Sequence, residues 1–283
     1  MNRIGILFHP LKDEAIALAK EVEDFLKARR LSVWVHSAWD WEKAAGDIDH
    51  TDLILTIGGD GTILHAAQAA MPRGIPITGI NLGRLGFMTE LSVKETFREL
   101  PALLEGKGRL DERSLLDGEL AAPGESPRRF KALNDIVVAR GGVARVVAVD
   151  VTIDGAALTT YKADGVVVAT ATGSTGYALA AGGPILDPQS GSLVIVPILP
   201  HLSYRYPMVL PPEARISLKL NTYTPAIMSV DGHINIPLAS GAMVTVRHSA
   251  DTVRFLRVHQ GSFYGSLEER LRGKQSSDQP GKS

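Results

Sequence analysis

LILTIGGDGTILHAA, residues 53–67, is the stretch on which the reading of this chain turns. Leu53 to Ile57 is a short apolar run. Gly58-Gly59-Asp60-Gly61-Thr62 breaks it, and Ile63 to Ala70 resumes as an apolar, alanine-rich segment. A buried parallel strand, a tight turn and a helix start give this pattern. Three glycines allow backbone angles that a side chain forbids, and they leave N–H groups bare for a ligand. Such groups at a helix N-terminus attract phosphate. Asp60 is the odd member, because a carboxylate repels phosphate. It holds a metal ion, takes a proton from a hydroxyl, or caps the helix; the pentapeptide alone leaves these open.

On the N-terminal side, residues 3–8 read as a first strand. Ile16, Ala19, Val22, Phe25 and Leu26 then recur at helical spacing within residues 13–30. Ser32 to His36 alternates as a strand does, and residues 39–50 carry no clear period. On the C-terminal side, Ile75 to Asn81 reads as a further buried strand. Residues 93–106 are helical in pattern with Pro101 interrupting them. Strands alternating with helices predict a parallel α/β domain, in which ligands bind beyond the carboxyl ends of strands. Gly58–Thr62 stands at such an end, and so does Asn81-Leu82-Gly83-Arg84-Leu85-Gly86-Phe87.

From about residue 110 the texture changes to short β-rich runs. These are Ala132–Ala139, Arg145–Ile153, Gly165–Thr170, Leu193–Val196, Arg215–Leu220, Ala226–Val230, Met243–Arg247 and Thr252–Val258. Asp154-Gly155 is a hairpin signal, and residues 118–128 read as an exposed loop at a hairpin tip. The spacing predicts a second, mainly antiparallel, sandwich-like or barrel-like domain. The tail from Gly273 is rich in Ser, Gly, Pro and charge and is expected to be disordered.

The chain has 283 residues, 45% hydrophobic and 22% charged, with a net charge of −1. That profile is globular and gives no electrostatic case for nucleic acid or a membrane surface. No stretch has the uncharged length needed to span a bilayer. The start, MNRIGILFHP, is too short an apolar run for a signal peptide. The absence of cysteine excludes disulfides and thiolate chemistry and is compatible with a reducing compartment, so the expected location is cytoplasmic.

Three clusters in the second half look chemical. Leu133-Asn134-Asp135 is a turn device at a strand start, or an amide and a carboxylate offered to adjacent sugar hydroxyls. Thr170 to Pro184 concentrates small and hydroxyl residues around Tyr177. It reads as a backbone-lined pocket with an aromatic wall, or as a turn into a short helix packed on a sheet. Asp231-Gly232-His233 is most simply a hairpin turn.

GGDGT at 58–62, NLGRLGF at 81–87, LND at 133–135, DG at 164–165, TGSTGY at 172–177, GGPI at 182–185, PH at 200–201 and VDG at 230–232 occur in an order that strongly resembles the NAD kinases. The resemblance spans about residues 1–265. GGDG alone is shared with diacylglycerol and sphingosine kinases and phosphofructokinases; the Asn-Asp pair followed by the TGST segment and Tyr177 selects NAD kinase. The resemblance implies an α/β domain with a parallel, Rossmann-like sheet over 1–108 and a mainly antiparallel β-sandwich-like domain over 109–256. A C-terminal segment, 257–283, would pack back toward the first domain. It further implies transfer of the γ-phosphoryl of ATP to the 2′-hydroxyl of the adenosine ribose of NAD, with Mg²⁺ or Mn²⁺, in a homo-oligomer, dimer or tetramer.

By the same resemblance Asp60 is the general base at that hydroxyl, and Gly58, Gly59, Gly61 and Thr62 form the triphosphate cradle. Phe87 lines the adenine pocket. Asn134 and Asp135 hold NAD, including the ribose near the reaction. Thr172 and the segment Thr175, Gly176, Tyr177, Ala178, Leu179 and Ala180 surround the dinucleotide, and Asp164 contacts its nicotinamide end. Arg145, Lys162 and His233 fall where relatives also touch NAD. No side chain is expected to be a dedicated metal ligand. Asp60 would then stand at a seam between donor phosphate and acceptor hydroxyl, with the second domain bringing the ribose to the turn. Gly176 departs from the alanine usual in relatives, and Lys162 from the arginine of many bacterial ones.

Two other classes fit parts of the pattern. A lipid or sugar kinase would share GGDG, but it does not predict both Asn134-Asp135 and Thr172–Tyr177. A non-catalytic dinucleotide sensor has no use for an acid beside a phosphate turn.

Overall fold

The computed structural model describes all residues except 84–85, 143–145, 202–203, 223, 260 and 276–283. The chain divides into two compact units, Met1–Glu112 with Val253–Ser283, and Arg113–Thr252. The chain crosses between units a few residues away from the expected 108 and 256.

In the first unit the order is β1 (Arg3–Phe8), α1 (Asp13–Lys27), β2 (Ser32–Ser37), α2 (Trp41–Asp47), β3 (Leu53–Gly58), α3 (Asp60–Ala70), β4 (Ile77–Asn81), β5 (Leu91–Ser92) and α4 (Val93–Leu104). Strands β2-β1-β3-β4 pair in parallel in that spatial order. Every residue of β3 is buried, which is what a central parallel strand covered on both faces requires. The apolar positions of α1 pack with Ile4, Ile6, Leu55 and Ile57 in one core, each such side chain contributing roughly 1.5–3 kcal/mol. Within residues 39–50, which showed no clear period, the chain forms the rest of a 3₁₀ turn that starts at Ala38, and then α2. That helix is only seven residues long, too short to establish a periodicity. Helix α4 runs through Pro101 without breaking. A capping box at its start, Ser92 with Glu95, stabilises it by about 1 kcal/mol.

In the second unit the strands from β6 (Arg109–Ala121) onward are β7 (Arg128–Ala132), β8 (Asp135–Arg140), β9 (Val147–Ile153), β10 (Ala156–Ala163), β11 (Gly165–Ala169), β12 (Leu193–Ile198), β13 (Met208–Leu210), β14 (Ile216–Asn221), β15 (Ala226–Val230), β16 (Ile234–Leu238) and β17 (Met243–Arg257). The ends of β6 and β17 belong to the first unit. One sheet runs β13-β12-β11-β8-β15-β16, all antiparallel. The other places β10-β9-β14-β17 antiparallel. Val166, Val168, Ile195 and Met228 from the first meet Val149, Val151, Leu218 and Val244 from the second in a shared core, so the unit is a β-sandwich.

Several expected runs are redrawn. Ala132–Ala139 is two strands, because the backbone turns at Leu133-Asn134. Met243–Arg247 and Thr252–Val258 are one long strand, β17. The expected loop 118–128 shrinks to the residues between Ala121 and Arg128. Asp154 and Gly155, at φ 52° and 82°, make the hairpin turn between β9 and β10. Beyond β17, α6 (Leu267–Gln275) extends past Gly273, where disorder was expected to begin.

Candidate functional site

The register of β3 on β4 sets Gly58 beside Asn81, so the turns that leave these neighbouring strands emerge side by side. Asp60 is the first residue of α3, with Gly59 as the N-cap residue. Its carboxylate does not cap its own helix. It turns to the next loop, where Oδ2 accepts the Phe87 N–H at 2.8 Å and Oδ1 accepts those of Met88 at 3.0 Å and Thr89 at 3.3 Å. Gly86 permits this approach, since a Cβ there would overlap the carboxylate. Asp60 remains only half-buried, so its oxygens are fixed yet accessible.

The glycines of the turn act through space rather than through left-handed angles, for none of Gly58, Gly59 and Gly61 has positive φ. A Cβ on Gly58 would run into the Thr62 side chain, whereas Gly59 and Gly61 face open space. Thr62 is buried, and its Oγ1 has no hydrogen-bond partner among the described residues. Phe87 is also buried, its ring 6.4 Å from that of Phe263.

In the second unit a matching device holds the Leu133–Asp135 turn. Asp231 Oδ2 accepts the Leu133 N–H at 2.9 Å, and Oδ1 accepts those of Asn134 at 2.7 Å and Asp135 at 3.1 Å. Thr170 Oγ1 donates to the Leu133 carbonyl at 2.6 Å and accepts the Gly173 N–H at 3.0 Å, tying the turn to the 172–177 segment. Gly173 lies so close to the Asn134 carbonyl that no Cβ fits. Asn134 Oδ1 is buried without a hydrogen-bond donor among the described residues. Such an atom costs free energy until a ligand donor meets it.

Burial pushes the Asp135 carboxyl up to about 7, helped by the Asp231 charge. Burial also raises Asp231, against the three N–H bonds that favour its ionised form.

Thr172 and Thr175 are buried, and Thr175 Oγ1 donates to the Thr172 carbonyl at 3.1 Å. Tyr177, Ala178, Leu179 and Ala180 form the short helix α5, with Ala178 buried and Tyr177 48% exposed. A methyl on Gly176 would sit 3.2 Å from the Gly173 carbonyl oxygen and 3.3 Å from Asn134 Nδ2, so an alanine there requires both neighbours to give by a few tenths of an ångström. Asp164 is paired with Arg140 at 2.9 Å, Lys162 is exposed on β10, and His233 Nδ1 lies 3.1 Å from the Asp231 carbonyl in the β15–β16 turn. Arg145 lies outside the described residues.

Asp231, Thr170, Gly86 and Gly173 were not singled out from the sequence as site residues. Asp231 was in view as a hairpin turn and as part of the VDG motif of the resemblance, with no role assigned, and its φ of 50° fits a turn. The available signal was a carboxylate next to a glycine in a strand-rich region with no nearby cation.

No helix among the described residues is long and apolar enough to cross a membrane. The family model for the ATP-NAD kinase N-terminal domain matches residues 4–108, and that for the ATP-NAD kinase C-terminal domain matches residues 133–258. A NAD kinase of Dehalococcoides mccartyi is 46% identical over 278 residues, covering 98% of each chain. A NAD kinase of Chloroflexus aggregans is 41% identical over 273 residues, covering 96% of this chain and 99% of its own. Among solved structures, yeast NADH kinase complexed with NADH superposes with a TM-score of 0.83 at 27% identity, over 100% of this chain and 90% of that one. An NAD kinase from Archaeoglobus fulgidus in complex with ATP gives 0.78 at 28% identity, over 95% and 98%. The two domain matches lie end to end along one chain, and the curated relatives match it over nearly its full length: the chain belongs to the ATP-NAD kinase family.

Proposed function

We infer that this chain is an NAD kinase, transferring the γ-phosphoryl of ATP to the 2′-hydroxyl of the adenosine ribose of NAD to give NADP and ADP. The observation that carries the reading is Asp60, a half-buried carboxylate fixed by three N–H donors at the start of α3, beside glycines that face open space. Ligand-bound neighbours with ATP and with NADH support the two substrate classes.

In this reading the ribose 2′-oxygen attacks the γ-phosphorus as the bond to the β-phosphate oxygen breaks. A ribose hydroxyl is far less acidic than a carboxylic acid, so the reaction does not start from an ionised hydroxyl. In a loose transition state little early deprotonation is needed, and Asp60 orients the hydroxyl and accepts its proton late. Gly58, Gly59, Gly61 and Thr62 cradle the triphosphate through N–H groups at the start of α3. Asn134 Oδ1 accepts a hydroxyl proton of the dinucleotide, which supplies the donor it lacks. Asp135, titrating near neutrality, holds a further hydroxyl. Tyr177 offers a stacking face, with Thr172, Thr175, Gly176 and Ala178–Ala180 around it. Phe87 borders the adenine, Asp164 the nicotinamide end, and Lys162, His233 and Arg145 the rest of NAD.

Among the described residues there is no group of three or more His, Cys, Asp or Glu suited to a metal ion. Mg²⁺ or Mn²⁺ would accompany the triphosphate and offset its charge. The reading extends to a cytoplasmic homo-oligomer.

The test is formation of NADP from NAD and ATP by purified protein. NADH, diacylglycerol and a hexose phosphate serve as alternative acceptors, and metal is omitted as control. Absence of NADP with metal present overturns the reading.

A further inference from the structure

Behind the loop that clasps Asp60 lies a buried ionic cluster. Arg257, Asp111 and Glu90 are each 4–6% exposed. Arg257 Nε donates to Asp111 Oδ2 at 3.1 Å. Its Nη1 donates to Glu90 Oε2 at 3.2 Å and to the carbonyls of Met88 at 2.7 Å and Thr89 at 3.3 Å. Glu90 Oε1 in turn accepts the N–H groups of Val258 and His259 at 2.9 and 2.7 Å. The same loop is touched from the C-terminal helix, where Arg270 donates to the Gly86 carbonyl.

The geometry of one peptide unit links this cluster to Asp60. The Met88 carbonyl and the Thr89 N–H belong to the same planar group, and in a trans peptide they point opposite ways. The carbonyl is held by Arg257 and the N–H by Asp60 Oδ1. Arg257 and Asp60 therefore grip one rigid plane from its two sides. A cation on the carbonyl also polarises the plane and strengthens its N–H as a donor. Stability alone is a poor reason for such a cluster, because a buried ion pair is often no more stabilising than apolar residues of similar volume. Placement is the better one.

We propose that Arg257 is a positioning residue for the phosphoryl transfer: by fixing the Met88–Thr89 plane against β17, it sets where the Asp60 carboxylate stands. This rests on the reading of Asp60 as the group that meets the acceptor hydroxyl. An ångström of displacement there costs about 100-fold in rate, while the substrates' own contacts are untouched.

The experiment compares Arg257→Met and Arg257→Lys with wild type in steady-state kinetics and in amide hydrogen exchange at residues 87–89. Val253→Ala, a buried change on the same strand away from the loop, controls for general destabilisation. In Arg257→Met, kcat is expected to fall by about 100-fold, with KM for ATP and NAD within about threefold of wild type. Arg257→Lys, which keeps the charge and loses the planar fork, is expected to recover about a tenth of the wild-type rate. Exchange at Thr89 should quicken in both, and Val253→Ala should leave kcat per folded molecule unchanged. Unchanged kcat, or a loss confined to KM, overturns the proposal. If Arg257→Met does not fold, Arg257→Lys decides on the same two readouts. Should wild type make no NADP, the kinase reading falls while exchange still tests Arg257. Wild-type protection of Thr89 in Arg257→Lys would then overturn the positional link.

Discussion

In one unit the Asp60 carboxylate takes N–H bonds from Phe87, Met88 and Thr89, and in the other the Asp231 carboxylate takes them from Leu133, Asn134 and Asp135. Each binds three consecutive backbone amides of a loop distant in sequence. Burial separates the two. Asp231 is 5% exposed and has a second carboxyl, Asp135, beside it. Asp60 is half-buried at a helix start facing glycines with open space around them. The same bonding pattern therefore serves two ends. Where it is sealed it shapes a loop, and where it is left open it aims a carboxylate.

If that distinction holds, removing charge at the open clasp costs rate and removing it at the sealed clasp costs stability. Asp60→Asn is the largest effect expected, a fall in kcat of about 1,000-fold with NAD binding largely spared. Turnover compared with NAD affinity by titration calorimetry separates the two. Near-normal turnover would break the assignment of Asp60 as base. Gly86→Ala comes next. Its Cβ would overlap the Asp60 carboxylate, so the carboxylate or the loop must move, at about 100-fold in kcat. A Gly86→Ala enzyme with wild-type kcat would show that the exact stance of Asp60 does not matter.

Asp231→Asn tests the sealed side. Asparagine tolerates the φ of 50° at this position, but its amide nitrogen cannot accept the N–H now met by a carboxylate oxygen. One buried N–H is left unsatisfied, at about 2 kcal/mol. Urea denaturation reads the stability and an NAD titration reads the Asn134 turn; kcat at saturating NAD should change far less than in Asp60→Asn. An equal loss of kcat at saturation would erase the contrast between the clasps.

Much of this was legible in the sequence because it is local. The apolar run ending in Gly58-Gly59-Asp60 specifies strand, turn and helix within a dozen residues, and β3 and α3 follow it closely. Asp154-Gly155 likewise names its own turn. What escaped is long-range. Nothing near Asp60 in sequence announces that its partners are the amides of residues 87–89, and nothing near Asp231 points to residues 133–135. Backbone N–H groups carry no side-chain signature. A carboxylate that binds them looks in sequence like a helix cap or a turn residue; Asp231 was read as a turn, and for Asp60 a helix cap was one of three readings until the family resemblance made it the general base. The same reason hid Arg257, whose partners Met88, Thr89, Glu90 and Asp111 lie far back along the chain. The single strand β17 was split in two because Ser249-Ala250-Asp251 interrupts its apolar pattern; Ser249 accepts the Lys131 ammonium at 3.0 Å and donates to Asp117 at 2.8 Å, while the backbone stays extended.

The effect with the least bearing on rate concerns pH and distinguishes the clasps through Asp135. Its carboxyl stands at about 7 in the folded chain against an ordinary 3.8. Between those values the native state keeps a proton that the unfolded chain has lost, so this group's contribution is fully present below the unfolded pKa. It is lost as pH rises through the folded one, at up to about 1.4 kcal/mol per pH unit. Carboxylates held low by partners, such as Glu23 beside Lys27 and Glu95 beside Ser92, titrate with the opposite sign, so the difference between two proteins is the clean measurement. Wild type should lose stability relative to Asp135→Asn between pH 5 and 7, followed by urea denaturation. In Asp231→Asn the neighbouring charge is gone while burial, the larger cause, remains, so the Asp135 carboxyl comes down only part of the way and the slope should shrink only slightly. An equal slope in wild type and Asp135→Asn would show that the buried pair carries no such proton. The sealed clasp would then differ from the open one in geometry alone.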